Sequence, residues 1–228
     1  SGTYQSANLA KDLVEYDENH DAISVEFVGR DIDAKTAKNP ANYTLAGNKL
    51  ASNTVIEYET LKDDDDNVTG GVARIFLNKD TIKRDGNYDL TVANVATTGG
   101  SKMLETTVTV YGMKDNTRPV LEAAVITGDA KFELKFSESL KIELGDKELA
   151  AGNFVILVNG ERYNVKTVEV DDNDRYLIVE LNDQIENYES KTITVKTTLD
   201  KNGDYFVTDI AGNELKPEVK VTATVKGE

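Results

Sequence analysis

The chain has 228 residues, of which 39% are hydrophobic, and its 26 basic and 41 acidic residues give a formal net charge of −15. This length and composition predict one large or two small folded domains and exclude a disordered chain. The acidity excludes nucleic acid and anionic membranes as partners, and the absence of cysteine excludes disulfides, thiol nucleophiles and zinc–thiolate sites.

The first stretch of the chain carries little chemistry. Residues 1–7 have no strand or helix pattern, and we expect them to be disordered or a cloning remnant. The single histidine, His20, lies in a polar segment between two apolar runs, which indicates an exposed turn residue. A histidine-dependent relay would have to use this side chain. The sequence contains no P-loop or G-x-S-x-G motif, and no apolar run near the ~20 residues of a membrane-spanning helix.

Alternation of apolar and polar residues, which is typical of strands with one buried face, dominates the chain. A helix-like segment, 33–38, ends before Pro40 because proline cannot continue a helix. The apolar phase slips between Val165 and Val168, which predicts a β-bulge. The alternation predicts strands at residues 23–27, 87–92, 131–136, 192–195 and 219–225.

The sequence also repeats itself at an offset of about 103 to 111 residues. This is the length of one immunoglobulin-like sandwich. We therefore predict an all-β chain of two tandem immunoglobulin-like β-sandwich domains, with about seven short antiparallel strands each. The aligned pairs are 22–27 with 131–136, 42–45 with 153–156, 63–67 with 171–174, and 88–92 with 191–195.

A polar linker that leads into Pro119 separates the two copies. Proline fixes its own backbone and favours an extended residue before it, so the linker should bend little. The predicted domains are 8–114 and 115–228.

Acidic residues gather at predicted turns, and two interpretations stay open. Calcium binds about six to eight oxygen ligands, mostly carboxylates and carbonyls, although no segment matches an EF-hand loop. Alternatively, the clusters are hairpin tips whose charges are solvated. Asp115 lies in the linker, where a cation could neutralise acidic loops of both domains and stiffen the joint. The candidate calcium ligands are Asp63, Asp65, Asp115, Asp171, Asp174 and Asp209.

Four segments resemble the immunoglobulin-like domains of bacterial surface-layer (S-layer) proteins from Gram-positive bacilli. They are 39–50, 115–120, 132–140 with its Phe-Ser-Glu turn, and 209–213 with the closing motif Asp-x-Ala-Gly-Asn. The second predicted domain carries the opening, middle and closing signatures in order. The first has other residues at the Phe-Ser-Glu turn and, at 95–100, in place of the closing motif.

The resemblance implies a structural, non-enzymatic role on the outside of the cell wall. Such domains make lateral contacts in a two-dimensional lattice, so the implied partners are neighbouring copies and further immunoglobulin-like domains of the same protein. The lattices commonly depend on calcium, which would then be bound here. This chain would be an excerpt from the lattice-forming part.

Two other function classes remain open at this stage. Related sandwich domains occur in adhesins and as carbohydrate-binding or spacer modules of secreted enzymes, and a carbohydrate-binding module needs a cluster of exposed aromatic residues. An enzyme would have to rely on paired carboxylates, which can cleave glycosides without histidine, serine or cysteine. That function requires two buried acids beside a deep pocket.

Overall fold

A computed structural model describes residues 6–227. Half of the chain is strand and 8% is helix, so the predicted all-β immunoglobulin-like fold is confirmed. The chain divides into two compact units, Ser1–Asn116 and Thr117–Glu228. The described part of the chain has two short α-helices and three 3₁₀ helices, Pro40–Asn42, Ala151–Asn153 and Tyr188–Ser190, and none of them has the length and apolar character that a membrane span requires.

Unit 1 is a sandwich of two antiparallel sheets. Its described residues form the strands β1 (Asn8–Asp17), β2 (Ala22–Val28), β3 (Tyr43–Leu45), β4 (Asn48–Lys49), β5 (Val55–Lys62), β6 (Val68–Phe76), β7 (Gly86–Val92) and β8 (Thr106–Met113). One sheet has the strand order β1-β2-β6-β5, and the other has the order β4-β3-β7-β8.

The core of unit 1 forms from the alternate residues that the sequence pattern indicated. Phe27, Tyr43, Ile75 and Leu90, one from each of four strands, are fully buried. Ala7 is also fully buried in this core. The predicted disordered segment therefore ends before Ala7, because burial of its methyl group fixes the start of β1; residues 1–5 of that segment lie outside the described residues.

Unit 2 has the same kinds of strand pairs and two additional short strands, but its two sheets are joined through the pairing of its last strand with its first strand. It contains β9 (Leu121–Gly128), β10 (Lys131–Phe136), β11 (Leu140–Ile142), β12 (Phe154–Val158), β13 (Glu161–Tyr163), β14 (Val165–Val170), β15 (Tyr176–Leu181), β16 (Ile193–Thr197), β17 (Val207–Asp209) and β18 (Lys220–Val225). Eight of them form one sheet in the order β13-β12-β16-β18-β9-β10-β15-β14, and β11 pairs with β17.

The described residues form eight strands in unit 1 and ten in unit 2, where about seven short strands per domain were predicted. Several strands, such as β4 and β17, have two or three residues, too few to show a readable alternation. One pair is also parallel: residues 124–126 of β9 pair with 223–225 of β18. A parallel pair needs a long connection, and the rest of unit 2 supplies it.

Local irregularities follow the sequence in two places and depart from it in two others. The predicted bulge is confirmed by a register shift in β14 between Val165 and Thr167. The predicted helix is α1 (Ala34–Ala37), whose N-terminus is capped by the Asp33 side chain. A second short helix, α2 (Lys147–Ala150), was not predicted. Neither was the bulge in β1, where residues 10–13 lie opposite a single residue of β2.

The β3–β4 hairpin of unit 1 carries backbone strain that its counterpart in unit 2 avoids. Ala46 and Gly47 have φ values of 52° and 83°, and Asn159 and Gly160 in the β12–β13 hairpin have 47° and 83°. Asparagine tolerates this left-handed conformation far better than alanine. We therefore expect Ala46→Asn to stabilise unit 1 by about 0.5–1 kcal/mol, measured by urea unfolding.

The reverse change in unit 2, Asn159→Ala, is the matched control for this prediction. It should destabilise, and by more, because the Asn159 Oδ1 also accepts a hydrogen bond from the Thr192 backbone N at 2.9 Å. A destabilising Ala46→Asn variant would contradict the strain argument.

Candidate functional site

Asp209, the last residue of β17, is a carboxylate with only 2% exposure. Its Oδ1 accepts a hydrogen bond from the Asn213 backbone N at 2.7 Å, and its Oδ2 accepts one from Asn213 Nδ2 at 2.9 Å. The Gly212 N donates to the Asp209 carbonyl at 3.1 Å, and Gly212 has a φ of 93°, which favours glycine. The aspartate, the glycine and the asparagine of the Asp-x-Ala-Gly-Asn motif therefore each help to close this turn.

Two further acidic residues of unit 2 lie at the same end as Asp209. A carboxylate oxygen of Glu138 lies within 4.8 Å of one of Asp209. Asp174 Oδ1 accepts a hydrogen bond from Ser139 Oγ at 2.6 Å, and the Asp174 carbonyl accepts one from the N of Leu140, which pairs with Asp209. The structure therefore brings the predicted candidates Asp174 and Asp209 to the segment 138–140.

These oxygen atoms are suitable ligands for a hard cation such as calcium, which prefers carboxylate and carbonyl ligands. Each oxygen of the Asp209 carboxylate accepts a hydrogen bond from Asn213, but a carboxylate oxygen has two lone pairs. Asp209 therefore keeps acceptor capacity next to Glu138. If calcium binds here, these two side chains would hold it.

A cleft of about 350 Å³ adjoins Asp209 and is also lined by Lys141 and Tyr205. The Tyr205 hydroxyl is buried and has no hydrogen-bond partner among residues 6–227. Burial, together with the negative charges of Glu214 and Glu218, raises the pKa of Tyr205, which is therefore a neutral phenol at physiological pH.

Unit 1 contains the same closed turn without the carboxylate. Thr97 pairs with Ile32 as Asp209 pairs with Leu140, and its Oγ1 accepts a hydrogen bond from the Ser101 N at 3.2 Å. Gly100, with a φ of 87°, stands where Gly212 stands in unit 2. A hydroxyl is thus sufficient to close the turn, so the negative charge of Asp209 is not needed for its geometry.

The two acidic clusters lie at hairpin tips, as one of the two interpretations predicted. Asp63 and Asp65 are exposed in the β5–β6 turn, where Asp63 Oδ1 accepts hydrogen bonds from the backbone N of Asp65 and of Asn67 at 3.0 and 2.9 Å. Asp171 Oδ1 accepts one from the Asp172 N at 2.8 Å in the β14–β15 turn. These side chains organise their own turns, and calcium binding by Asp63, Asp65 and Asp171 stays a prediction.

Asp115 follows β8 near the end of unit 1. Its backbone N donates to Asp85 Oδ1 at 2.8 Å, and the Lys114 Nζ lies 3.8 Å from Asp85 Oδ2. The β6–β7 loop therefore fixes the backbone at this candidate ligand.

Asn116, which the sequence analysis did not identify, ties together the loops at its end of unit 1. Its Oδ1 accepts hydrogen bonds from the backbone N of Thr81 and Ile82 at 3.0 and 2.8 Å. Its Nδ2 donates to Asp21 Oδ2 and to the Asn78 carbonyl at 2.8 and 3.0 Å. All four bonds reach residues at least 34 positions away, so no local motif marks this role.

His20 is an exposed turn residue, as predicted, with 61% of its side chain accessible. Its Nδ1 lies 2.7 Å from Asp17 Oδ2, which also accepts a hydrogen bond from Arg74 at 2.7 Å. The hydrogen bond with His20, helped by Arg74, holds the pKa of the Asp17 carboxyl below its ordinary value. The group therefore orders the β1–β2 turn.

Exposed aromatic residues do not form a cluster within residues 6–227. Tyr111, with 71% exposure, is the only aromatic residue in the described part of the chain whose side chain lies mainly in solvent. Tyr43 is fully buried in the core, and Tyr58 and Tyr88 pack against it. A carbohydrate-binding face made of stacked rings finds no support in this arrangement.

Comparisons with known proteins give similarities of limited extent. A family model described as "Putative flagellar system-associated repeat" matches residues 114–200. The crystal structure of the N-terminal part of the bacterial S-layer protein SbsC is 23% identical, with a TM-score of 0.35, over 47% of this chain and 24% of that chain. The S-layer protein rSbsC(31-844) is 23% identical, with a TM-score of 0.37, over 47% of this chain and 13% of that chain.

A third solved structure, the extracellular cadherin domains 1–4 of protocadherin gamma B7, is 12% identical with a TM-score of 0.27. That likeness covers 97% of this chain and 51% of the other. A search of curated protein sequences found no match. The matched region is at most about a quarter of the SbsC chains, so what those whole proteins do is not transferred to this chain.

Proposed function

We propose that this chain is a structural, non-enzymatic segment of a surface-layer protein that lies outside the cell. In this proposal its two immunoglobulin-like units contribute to a two-dimensional lattice, together with neighbouring copies and further immunoglobulin-like domains of the same protein. The motif resemblance supports the class. The fold by itself does not, because sandwich domains of this kind carry many functions.

The observation that carries the proposal is the way buried side chains close the loops of each unit. Asn116 in unit 1 and Asn153 and Asp209 in unit 2 are buried polar residues that hydrogen-bond loop backbone. Loops that serve as lids or adaptable binding surfaces come from the less stable parts of a protein. Loops closed from inside suit a rigid building element instead.

Calcium is the second part of the proposal, with Asp209 and Glu138 as ligands. In unit 1, Thr97 closes the equivalent turn without a charge. The negative charge of Asp209 in unit 2 is therefore not required for the turn and is available to bind a cation. The sequence-based prediction that Asp115 binds calcium stays part of the proposal.

The proposal is tested by assembly of the purified chain at rising concentration, with calcium or with a chelator. We expect ordered oligomers or sheets in negative-stain electron microscopy, and more of them with calcium. A chain that stays monomeric in light scattering in both buffers, up to its solubility limit, would refute the structural proposal.

The same samples test calcium by melting temperature. A ligand at about 100 times its Kd stabilises the folded state by about 2.7 kcal/mol, which corresponds to a rise of about 10 °C for a unit of this size. Asp209→Asn, Glu138→Gln and Asp115→Asn should each reduce that rise, and Asp172→Asn, in an exposed turn, is the matched control. Equal melting temperatures with calcium and chelator would remove calcium from the proposal.

A further inference from the structure

One cleft of unit 1 has a charge opposite in sign to that of the whole chain. Lys49, Lys79 and Lys83 line this lysine cleft of about 420 Å³ together with Asp80, so three positive charges and one negative charge sum to +2. The chain as a whole carries a net charge of −15. All three lysines are exposed, and within residues 6–227 none of them forms an ion pair. The cleft therefore offers three ammonium groups to an anionic partner.

Hydrogen bonds fix two of the loops that line the lysine cleft. Residues 50–54 lead into β5 and residues 77–83 follow β6, and between these loops Asn78 Nδ2 donates to Asn53 Oδ1 at 2.7 Å. Asn116 holds the second loop, since its Nδ2 donates to the Asn78 carbonyl at 3.0 Å. All residues that line the cleft belong to unit 1. A partner would therefore meet a preformed surface, which lowers the entropic cost of binding.

Four consecutive aspartates, 63–66, occupy the turn at the other end of the β5–β6 hairpin and form the aspartate tip. Asp66 pairs with Lys62, whose Nζ lies 3.2 Å from its Oδ1. The side chains of Asp64 and Asp65 are exposed, and among the residues that the structure describes they form no hydrogen bond or ion pair. The tip therefore presents two unpaired carboxylates on a turn that its own hydrogen bonds already order.

The β5–β6 hairpin separates the lysine cleft from the aspartate tip. Strand β5 begins directly after Thr54, which lines the cleft, and ends directly before Asp63. Its eight residues pair with β6 along the whole strand, and at about 3.3 Å per residue they span about 26 Å. The two oppositely charged surfaces of one copy therefore cannot meet each other, whereas those of two copies can.

We propose that the aspartate tip of one copy of this chain binds in the lysine cleft of a second copy, an inference that rests on the proposed structural function. The cleft has the volume of about 14 water molecules at about 30 Å³ each, which is room for the side chains of Asp64 and Asp65. Because the contact joins two different surfaces, it is heterologous, and each bound copy presents a free tip or a free cleft to the next copy. Such contacts build rows of copies.

The contact should be weak for isolated chains because exposed ion pairs each contribute little. It becomes effective in an array, where many contacts act together. Salt should weaken it, since the Debye length falls from about 30 Å at 0.01 M to about 8 Å at 0.15 M ionic strength. Its detection therefore needs low salt and a method that traps transient contacts.

A carbodiimide provides that method because it joins a carboxylate directly to an amine that touches it. We mix isotope-labelled and unlabelled chains at low salt, in a buffer without calcium, phosphate, amines or other carboxylates, since these would compete for the tip or the cleft. Mass spectrometry should find peptides in which residues 63–66 of one isotope are joined to Lys49, Lys79 or Lys83 of the other. The rate should fall at least about fivefold in 0.15 M salt.

Charge reversal tests the complementarity of the two surfaces. Lys79→Glu with Lys83→Glu in the cleft, or Asp64→Lys with Asp65→Lys in the tip, should each lower the rate of cross-linking between copies about tenfold, because like charges then face each other. An equal mixture of the two variants should restore the rate, since the acidic cleft of one variant meets the basic tip of the other. A mixture that stays as slow as either variant alone would overturn the proposal.

Matched controls carry the same changes of charge elsewhere. Lys166→Glu with Lys201→Glu, and Asp172→Lys with Asp183→Lys, replace exposed residues of unit 2. They change the net charge as the cleft and tip variants do, and each should leave the cross-linking rate within about twofold. Thermal melting checks that all four variants fold. Control variants as slow as the cleft and tip variants would show that net charge alone sets the rate and would overturn the specific contact.

The outcomes separate this inference from the proposed function. Arrays that form without cross-links between tip and cleft would overturn the contact and leave the structural function standing. Cross-links between tip and cleft without arrays support the contact and contradict the lattice. Chains that neither assemble nor cross-link refute both, and monomers whose cleft lysines bind only added inorganic phosphate, measured by nuclear magnetic resonance, refute the second-copy partner.

Discussion

Replacing Gly70 with alanine is expected to destabilise unit 1 more than any other small substitution in its sheets. A Cβ at Gly70 would lie 2.0 Å from the Phe27 carbonyl oxygen and 3.1 Å from the Phe27 carbonyl carbon. Both atoms belong to the backbone of β2, which pairs with β6 along seven residues, so they cannot move aside. We expect a loss of about 3 kcal/mol, which lowers the melting temperature of unit 1 by about 10 °C in calorimetry.

Alanine substitutions at two other glycines are the controls for this prediction. At Gly128 in β9 the nearest atom to a new Cβ would be Lys131 Cβ at 3.9 Å, so Gly128→Ala should change stability by less than about 0.5 kcal/mol. At Gly71 the obstacle is the end of the Tyr58 side chain, which can swing away, so Gly71→Ala should have an intermediate effect. A Gly70→Ala variant as stable as Gly128→Ala would contradict the backbone clash.

The second large effect is expected for Asn153→Ala in unit 2. Asn153 is fully buried; its Nδ2 donates to the carbonyls of Thr198 and Asp204 at 3.0 and 2.9 Å, and its Oδ1 accepts from the Phe206 N at 2.8 Å. Alanine would leave the Thr198 carbonyl and the Phe206 N without this partner, whereas the Asp204 carbonyl keeps its hydrogen bond from the Asp200 N at 3.0 Å. We expect a loss of about 3 kcal/mol, measured as a lower urea midpoint of unit 2 with an unchanged unit 1.

The equivalent residue of unit 1 is the natural control. Asn42 also precedes a core strand at the end of a short 3₁₀ helix, but it is partly exposed and its side chain donates to the Thr36 carbonyl alone, at 2.8 Å. Asn42→Ala should therefore cost about 1 kcal/mol. Equal losses for the two variants would show that the buried bonds of Asn153 contribute little.

The parts of the fold that were predictable are those in which one side of a strand faces the core. The segment 131–136 alternates at every residue, and it is strand β10. The phase slip near Val165 marked a real irregularity because a bulge shifts which residues face inward. The repeat also predicted correctly that 42–45 and 153–156 lie at equivalent strands, β3 and β12.

The parts that were not predictable depend on residues far apart in the chain. Strand β1 has no alternation because its bulge at residues 10–13 interrupts the pattern. The buried roles of Asn116 and Asn153 are set by partners that lie 34 to 95 positions away. The parallel pairing of β9 with β18 joins the two ends of a unit, and no local pattern records such a contact.

The candidate site was predicted in part. The motif 209–213 pointed to Asp209, and the structure adds that this carboxylate is buried and lies beside Glu138. That unit 1 folds the same turn at Thr97 was missed because threonine and serine replace aspartate and asparagine. Thr97 and Asp209 both offer a side-chain oxygen that accepts a hydrogen bond from the backbone four residues later. The signal for the equivalent turn is therefore this shared hydrogen-bonding capacity and not residue identity.

The parallel ladder between β9 and β18 has a mechanical consequence for a chain held at both ends. Tension applied through the termini of unit 2 loads this ladder in shear, so its hydrogen bonds must break together. Among the described residues of unit 1, β1 and β8 form no such ladder, so these strands can be peeled away with fewer simultaneous ruptures. Under stretching, unit 1 should yield first and extend, while unit 2 stays folded and transmits the force.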